Sequence, residues 1–155
     1  MINIDIERLI PHRDRMKLIG EIIESDDEKA VTESVVAKKW PLFTETGVSS
    51  LIIIELVAQT ASVCIGYKEL KKNGEKLGGK GWLVGIKNAS FFLDKIALNS
   101  RITTCSRINF SFDNYTQILG TAKTGEKLVG EVNLQVLRSE SGSVLKSNSG
   151  DETDG

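Results

Sequence analysis

The sequence predicts an α+β domain in which a curved, six-stranded antiparallel sheet wraps around one long central helix. The first observation behind this prediction is an apolar run over residues 47–67, which is too long for one strand and contains a single charged side chain, Glu55. The second is a series of segments, mostly after residue 81, in which apolar and polar residues alternate between short turns. Consecutive strands with tight turns form an antiparallel sheet, and this sheet must cover the apolar helix.

The predicted elements follow the order β-β-α-β-β-β-β. The six strands are predicted at residues 16–24, 30–37, 82–92, 101–112, 115–123 and 127–138. In the fourth strand Ile102, Thr104, Ser106, Ile108, Phe110 and Phe112 alternate with polar positions. A short helix is predicted at residues 3–10, and the long helix is predicted to end near Gly74. Residues 1–138 then form one domain, and the Ser-, Gly- and Asp-rich segment 139–155 is predicted to be a disordered tail.

Composition narrows the classes of function. A net charge of −1 over 155 residues gives no reason to expect nucleic-acid binding. Cys64 and Cys105 make no metal-ligand spacing, so we expect reduced thiols, no metal and no other cofactor. The apolar run is long enough to span a bilayer, but Glu55 near its centre disfavours insertion, and no membrane span is expected. The N-terminus lacks the features of a signal peptide, which predicts a cytoplasmic protein.

Glu55 and Gln59 are the first candidate site residues. Their spacing of four residues places both side chains on one face of a helix. A carboxylate in an apolar segment is either a satisfied polar group of the core or a proton-exchanging group, because desolvation favours its protonated form. The only histidine is His12. A general base must therefore be His12, a carboxylate or a group supplied by a partner chain.

Three segments resemble one known family. Pro11-His12-Arg13, the helix motif Glu-Leu-Val-Ala-Gln at residues 55–59, and Leu-Val-Gly-Ile-Lys-Asn-Ala-Ser-Phe at residues 83–91 resemble the hot-dog-fold 3-hydroxyacyl-acyl carrier protein dehydratases. The resemblance covers roughly residues 8–138 and extends to a divergent branch of predicted dehydratases. It implies a homodimer or larger oligomer, a substrate bound as a thioester to acyl carrier protein or coenzyme A, and a role in fatty-acid- or polyketide-type synthesis. Glu55 corresponds to the family's catalytic acid.

The sequence departs from the family at the catalytic base. Family members carry a Gly-His-Phe-Pro motif whose histidine is that base, and residues 40–43 here read Trp-Pro-Leu-Phe. His12 is then the internal candidate for the base, and a heteromer with a histidine-bearing hot-dog subunit is the alternative. Gln59 is a candidate to orient the Glu55 carboxyl or contact the substrate. Backbone amides of Gly47, Ser49 and Ser50 are candidates to bind the thioester oxygen at the helix N-terminus.

Other functions remain compatible with the residues. Gln59 is equally well explained as a packing residue, and His12, in a turn after proline, as a structural or surface residue. A non-catalytic hot-dog subunit that binds acyl thioesters or completes a partner is the main alternative to a dehydratase. A thioesterase, which would cleave the same class of substrate, is the other.

Overall fold

The computed structural model describes residues 2–10, 16–73 and 81–139, and its central element is the helix α1 (Ile52–Asn73). The strands of the described chain are β1 (Glu21–Ser25), β2 (Lys29–Val35), β3 (Phe43–Thr44), β4 (Gly47–Ser49), β5 (Gly81–Phe91), β6 (Lys95–Ala97), β7 (Arg101–Phe112), β8 (Tyr115–Thr124) and β9 (Lys127–Ser139). Six of them form one antiparallel sheet in the order β1-β2-β7-β8-β9-β5. The short strands β3, β4 and β6 form a second sheet near the start of α1.

The large sheet buries one face against α1. Alternate residues of β8 face the helix, and Ile118 and Ala122 are almost fully buried there. The buried face continues on the neighbouring strand β9, where Leu134 lies directly opposite Ile118. This face and the helix residues Ile53, Leu56 and Val57 form the main core. The predicted fold, a hot-dog sheet around a central helix, is therefore confirmed.

Buried polar side chains fix the helix on the sheet. The hydroxyls of Thr60 on α1 and Thr32 on β2 are hydrogen-bonded at 2.8 Å, and both residues are fully buried. Ser106 of β7 donates through Oγ to the backbone carbonyl oxygen of Val57 at 2.8 Å. Because an unpaired buried polar group is costly, these bonds favour one placement of the helix along the strands.

Several element boundaries differ from the prediction. The helix begins at Ile52 rather than near Gly47, because residues 47–49 form β4 and pair with β6 inside the predicted connection 94–100. The first strand of the sheet begins at Glu21. The predicted helix over residues 3–10 is only a 3₁₀ turn, Ile6–Arg8, capped by the Asp5 side chain. The predicted helix end at Gly74 and the tail beyond Ser139 lie outside the described residues.

The alternation predicted along β7 is interrupted after Ile108. A bulge between Ile108 and Phe110 shifts the register with β8. Ile102, Thr104 and Ser106 face the helix and are buried, whereas Phe110 and Phe112 are 53% and 71% exposed. The extra residue reverses the facing of the side chains that follow it, as bulges do. The two phenylalanines therefore lie on the outer face of the sheet, away from the helix.

The two cysteines are free thiols, one buried and one partly buried. Burial, more than any nearby charge, raises the pKa of the Cys64 thiol to about 12. This thiol donates to the carbonyl oxygen of Asp26 at 3.3 Å. Within the described residues, no helix is both long and apolar enough to cross a membrane.

Helix and sheet approach each other closely at Gly120 of β8, where we expect an added methyl group to destabilise the protein. A Cβ atom at this position would lie 2.6 Å from Cγ2 of Val57 and closer still to its Cγ1. Overpacking of this kind costs about 1–3 kcal/mol. Gly120→Ala should therefore unfold at a lower urea concentration than the wild type. Gly85→Ala is the matched control, because nothing lies within 4 Å of its Cβ position. Equal midpoints for Gly120→Ala and Gly85→Ala would contradict the proposed contact.

Candidate functional site

Glu55 lies in the first turn of α1, at the border between core and surface. Leu56 and Val57 are fully buried, whereas Leu51 is 53% exposed and Ile54, Glu55 and Ala58 are partly exposed. The spacing of these more exposed residues places them along one stripe of the helix. We call Leu51, Ile54, Glu55 and Ala58 the helix stripe. The Glu55 carboxyl is thus the one polar side-chain group of the helix stripe, whose other members are apolar and partly exposed.

The Gln59 side chain holds the Glu55 carboxyl. Its Nε2 donates to Oε1 of Glu55 at 3.0 Å and to the carbonyl oxygen of Met16 at 2.5 Å. Its Oε1 accepts from the backbone N–H of Leu18 at 3.0 Å. A backbone carbonyl can only accept and a backbone N–H can only donate, so these two partners determine which way the amide faces. The N–H that points to Glu55 is therefore fixed by the backbone of another segment.

In this arrangement both the nitrogen and the oxygen of the Gln59 side-chain amide are hydrogen-bonded within the protein. The residue is 0% exposed, and both of its N–H groups and its oxygen have partners. The predicted orientation of Glu55 by Gln59 corresponds to a hydrogen bond in the structure, whereas contact of Gln59 with substrate stays a prediction. Sequence reasoning missed the part played by Met16 and Leu18, because both contribute backbone groups that every residue type carries.

The chain that leads into α1 has its own hydrogen-bond pattern. The backbone N–H of Ser49 donates to the carbonyl oxygen of Leu42 at 3.1 Å. The backbone N–H of Ser50 donates to the backbone carbonyl oxygen of Asp94 at 3.0 Å. Gly47 pairs with β6, where a Cβ atom would clash with the Ile96 carbonyl. These groups join the small sheet to the start of the helix. Their predicted role in binding a thioester oxygen stays a prediction, and the amides of Ser49 and Ser50 already have acceptors.

The predicted base is not among the residues that the structure describes. His12 lies in residues 11–15, outside the described ranges. Trp40, in the segment that replaces the family's histidine motif, is 4% exposed and packs in the main core with Leu18. The described residues thus contain the acid of the predicted acid–base pair and no histidine. They also hold no cluster of side chains suited to a metal ion.

The inner face of β5 is not covered by the helix along its whole length. Val84 and Ile86 are directly opposite Val136 and Leu134 of β9 and face the same side of the sheet. Val136 and Leu134 are 2% and 0% exposed, whereas Val84 and Ile86 are 48% and 54% exposed. We call Val84 and Ile86 the β5 shelf. At Val84 and Ile86 burial therefore ends at β9, whereas Ala89 and Phe91 further along β5 pack against the main core. The other edge of β5 pairs with no strand in the described chain.

A separate depression of about 440 Å³ lies beside the start of β1, and its lining includes Lys17, Trp40 and Arg101. Arg101 forms an ion pair with Glu33 of β2 at 2.7 Å. Neither Glu55 nor Gln59 lines this depression. It shares only Leu18 with the hydrogen-bond partners of Gln59, so the two features are distinct.

Structural comparison shows what this architecture is similar to. One chain of the dehydratase heterocomplex ApeI:P from Xenorhabdus doucetiae matches with a TM-score of 0.81 and 13% identity, over 96% of this chain and 100% of that one. A hypothetical thioesterase with coenzyme A from Streptococcus pneumoniae matches with a TM-score of 0.59 and 13% identity, over 78% and 86%. The fluoroacetyl-CoA thioesterase FlK matches with a TM-score of 0.57 and 10% identity, over 79% and 96%. At these identities the similarities establish the fold.

Sequence comparison establishes the family. No protein with a curated function matches the chain. A family model described as ApeP-like, ApeP dehydratase, matches residues 4–146. This match includes α1 with Glu55 and Gln59, all strands of the large sheet and the segment that replaces the histidine motif. The chain therefore belongs to the ApeP-like dehydratase family.

Proposed function

We propose that this protein removes water from a 3-hydroxyacyl thioester, with Glu55 as the catalytic acid. A base takes the proton from the carbon next to the thioester carbonyl, and Glu55 gives a proton to the 3-hydroxyl group. The carbon–oxygen bond breaks, water leaves and a trans-2-enoyl thioester remains. The observation that supports this role most strongly is the hydrogen bond from Gln59, which holds the carboxyl in an apolar, partly open surface.

The hydrogen bond also indicates which carboxyl oxygen delivers the proton. Oε1 of Glu55 accepts from the Gln59 amide, and we assign the transferable proton to the other carboxyl oxygen, Oε2. Because the amide is itself fixed by Met16 and Leu18, the acid is oriented before substrate binds. Such preorganisation avoids the cost of ordering a catalytic group during the reaction.

The substrate is an acyl chain carried as a thioester by acyl carrier protein or coenzyme A. The family supports a dehydratase of this type, and the S. pneumoniae protein of the same fold is described with coenzyme A. The apolar members of the helix stripe and the β5 shelf suit an acyl chain beside Glu55. A fatty-acid- or polyketide-type synthesis is the setting that this chemistry serves.

The base is an imidazole that reaches Glu55 across an interface formed by β5. The unpaired edge of β5 can accept a strand from a neighbouring subunit. The helix stripe and the β5 shelf are both open and apolar, so each can cover the other across such an interface. The histidine then belongs either to a second copy, as His12, or to a different hot-dog subunit. The X. doucetiae dehydratase is a heterocomplex, which supports the second arrangement.

Loss of the Glu55 acid should abolish most of the activity. We expect Glu55→Gln to lower kcat/KM for hydration of a trans-2-enoyl thioester by about 10²–10⁴-fold, the usual contribution of a positioned acid or base. The assay follows the loss of enoyl absorbance, and unfolding curves confirm that the variant is folded. A fully active, folded Glu55→Gln variant would exclude Glu55 as the acid. Release of free thiol would identify a thioesterase, because hydration of the double bond leaves the thioester intact.

The same assay locates the base. Turnover by the purified chain alone excludes a compulsory foreign histidine, and His12→Asn then lowers kcat/KM if the second copy supplies the imidazole. If the chain alone is inactive, activity should return when a histidine-bearing hot-dog subunit is added, and Glu55→Gln should prevent that recovery. Recovery with Glu55→Gln would show a binding subunit without its own catalytic role.

Gln59 should affect catalysis through Glu55 rather than through substrate binding. We expect Gln59→Met to lower kcat by about 10²-fold, as misplacement of a catalytic group does, with little change in KM. Thr60→Val is the matched control, because Thr60 is buried one residue further along α1 and its hydrogen bond with Thr32 does not touch Glu55. Both substitutions should cost about 1–3 kcal/mol of stability through unsatisfied buried partners. An equal loss of kcat in the two variants would show that Gln59 acts only through stability.

A further inference from the structure

The outer face of the large sheet, opposite α1, changes character from one end to the other. At the end near the start of β7, outward positions carry polar and charged side chains, including Glu33, Arg101, Thr103 and Arg107. At the end near the β7–β8 turn, outward positions carry large apolar side chains. Antiparallel sheets that face water usually keep a polar outer face, so the second end departs from the expected pattern.

The apolar end forms one contiguous surface across three strands. Phe112 of β7 lies opposite Tyr115 of β8, and Tyr115 lies opposite Leu137 of β9. Phe110 and Tyr115 are in edge-to-face contact, with ring centroids 6.2 Å apart. Leu119 extends the surface along β8. We call Phe110, Phe112, Tyr115, Leu119 and Leu137 the outer patch; its phenylalanines and leucines are between 39% and 71% exposed.

The outer patch has no cover within the described chain. The helix occupies the opposite face of the sheet, and the β5 shelf faces the helix side as well. The bulge after Ile108 is what places the two phenylalanines outward. Contiguous exposed apolar surfaces of this kind mark interaction sites. The segment 140–155 has only two large apolar residues, Val144 and Leu145, which is little with which to cover five side chains.

The side chains among and beside the outer patch indicate the kind of partner. The outward residues between its members are amides: Asn109, Gln117, Asn133 and Gln135. Asn109 and Gln117 are hydrogen-bonded to each other at 3.0 Å. Charges begin only at the border, with Arg107 opposite Leu119 and Asp113 in the turn. Amides both donate and accept, so this surface is complementary to a copy of itself.

We propose that the outer patch binds the outer patch of a second copy of this chain, sheet against sheet. A two-fold contact uses the same surface on both copies, so a surface with charges of one sign would meet like charges. An uncharged patch of rings, leucines and amides avoids that repulsion. Two sheets pack face to face with their strands roughly aligned, and inward-facing apolar side chains fill the space between them.

This contact is independent of the proposed dehydratase activity and of the β5 interface. The outer patch faces away from α1, whereas the helix stripe and the β5 shelf face towards the helix side. The two surfaces can therefore be occupied at the same time. Pairing through β5 would join two chains, and the outer patch would join two such pairs.

The test compares charge variants by sedimentation velocity at protein concentrations from about 1 to 100 µM, a range in which moderate association is visible. The first variant carries Phe112→Lys and Leu137→Lys, and the second carries Phe112→Glu and Leu137→Glu. Val35→Lys is the control, because Val35 is 44% exposed at the polar end of the same face. We expect each double variant to show half the assembly mass of the wild type, and Val35→Lys to keep the wild-type mass.

Mixing the two double variants in equal amounts should restore the wild-type mass, because lysines then face glutamates across the contact. Restoration also shows that both variants are folded. The proposal fails if either double variant keeps the wild-type mass at every concentration. It fails equally if the wild type alone never exceeds the mass of the double variants, since the outer patch would then bind a different protein. A mixture that does not regain mass also contradicts a contact between copies.

Discussion

The buried amide of Gln59 is the interaction on which the candidate site depends. It connects the second turn of α1 to the backbone of Met16 and Leu18, more than 40 residues away in sequence, and it orients the Glu55 carboxyl in the same step. Its two backbone partners can each act in only one sense, because the Met16 carbonyl can only accept and the Leu18 N–H can only donate. The direction of the amide is thus set by the fold, and so is the direction of the N–H that holds the Glu55 carboxyl. The same hydrogen bonds therefore serve both the packing of the helix and the orientation of the Glu55 carboxyl.

The same sheet that buries the helix leaves three apolar surfaces open. The helix stripe and the β5 shelf lie on the helix side, where Val84 and Ile86 stay exposed although their partners on β9 are buried. The outer patch lies on the other side, where one bulge turns two phenylalanines outward. Within the described residues of one chain, no segment covers any of the three. The arrangement instead suits an assembly in which one contact completes the site around Glu55 and another joins copies through their outer faces.

Much of the fold could be predicted from the sequence, and the reasons are physical. The apolar run 47–67 was too long for a strand, and the alternation after residue 81 had the period of a sheet, so helix and strands followed from periodicity. Periodicity could not show the bulge after Ile108, because one extra residue changes facing without changing composition. It also could not show that residues 47–49 leave the helix, since their partner β6 is a strand of only three residues inside the predicted connection 94–100.

The candidate site could be predicted only in part. Glu55 and Gln59 were identifiable because a carboxyl and an amide four residues apart are conspicuous in an apolar helix. The partners that fix Gln59 were not, because they are backbone groups with no signature in the sequence. The family resemblance assigned a role to Glu55 and showed that the usual histidine is missing. The imidazole base is therefore a proposal that rests on the chemistry of the reaction, and no contact among the described residues identifies it.

A structure of the protein bound to a 3-hydroxyacyl thioester analogue that cannot lose water tests the central claim most directly. We expect the 3-hydroxyl oxygen to lie about 2.5–3.0 Å from Oε2 of Glu55, at hydrogen-bond distance, with Gln59 still bonded to Oε1. A 3-hydroxyl group bound away from Glu55, with the carboxyl directed at the thioester carbonyl instead, would contradict the account.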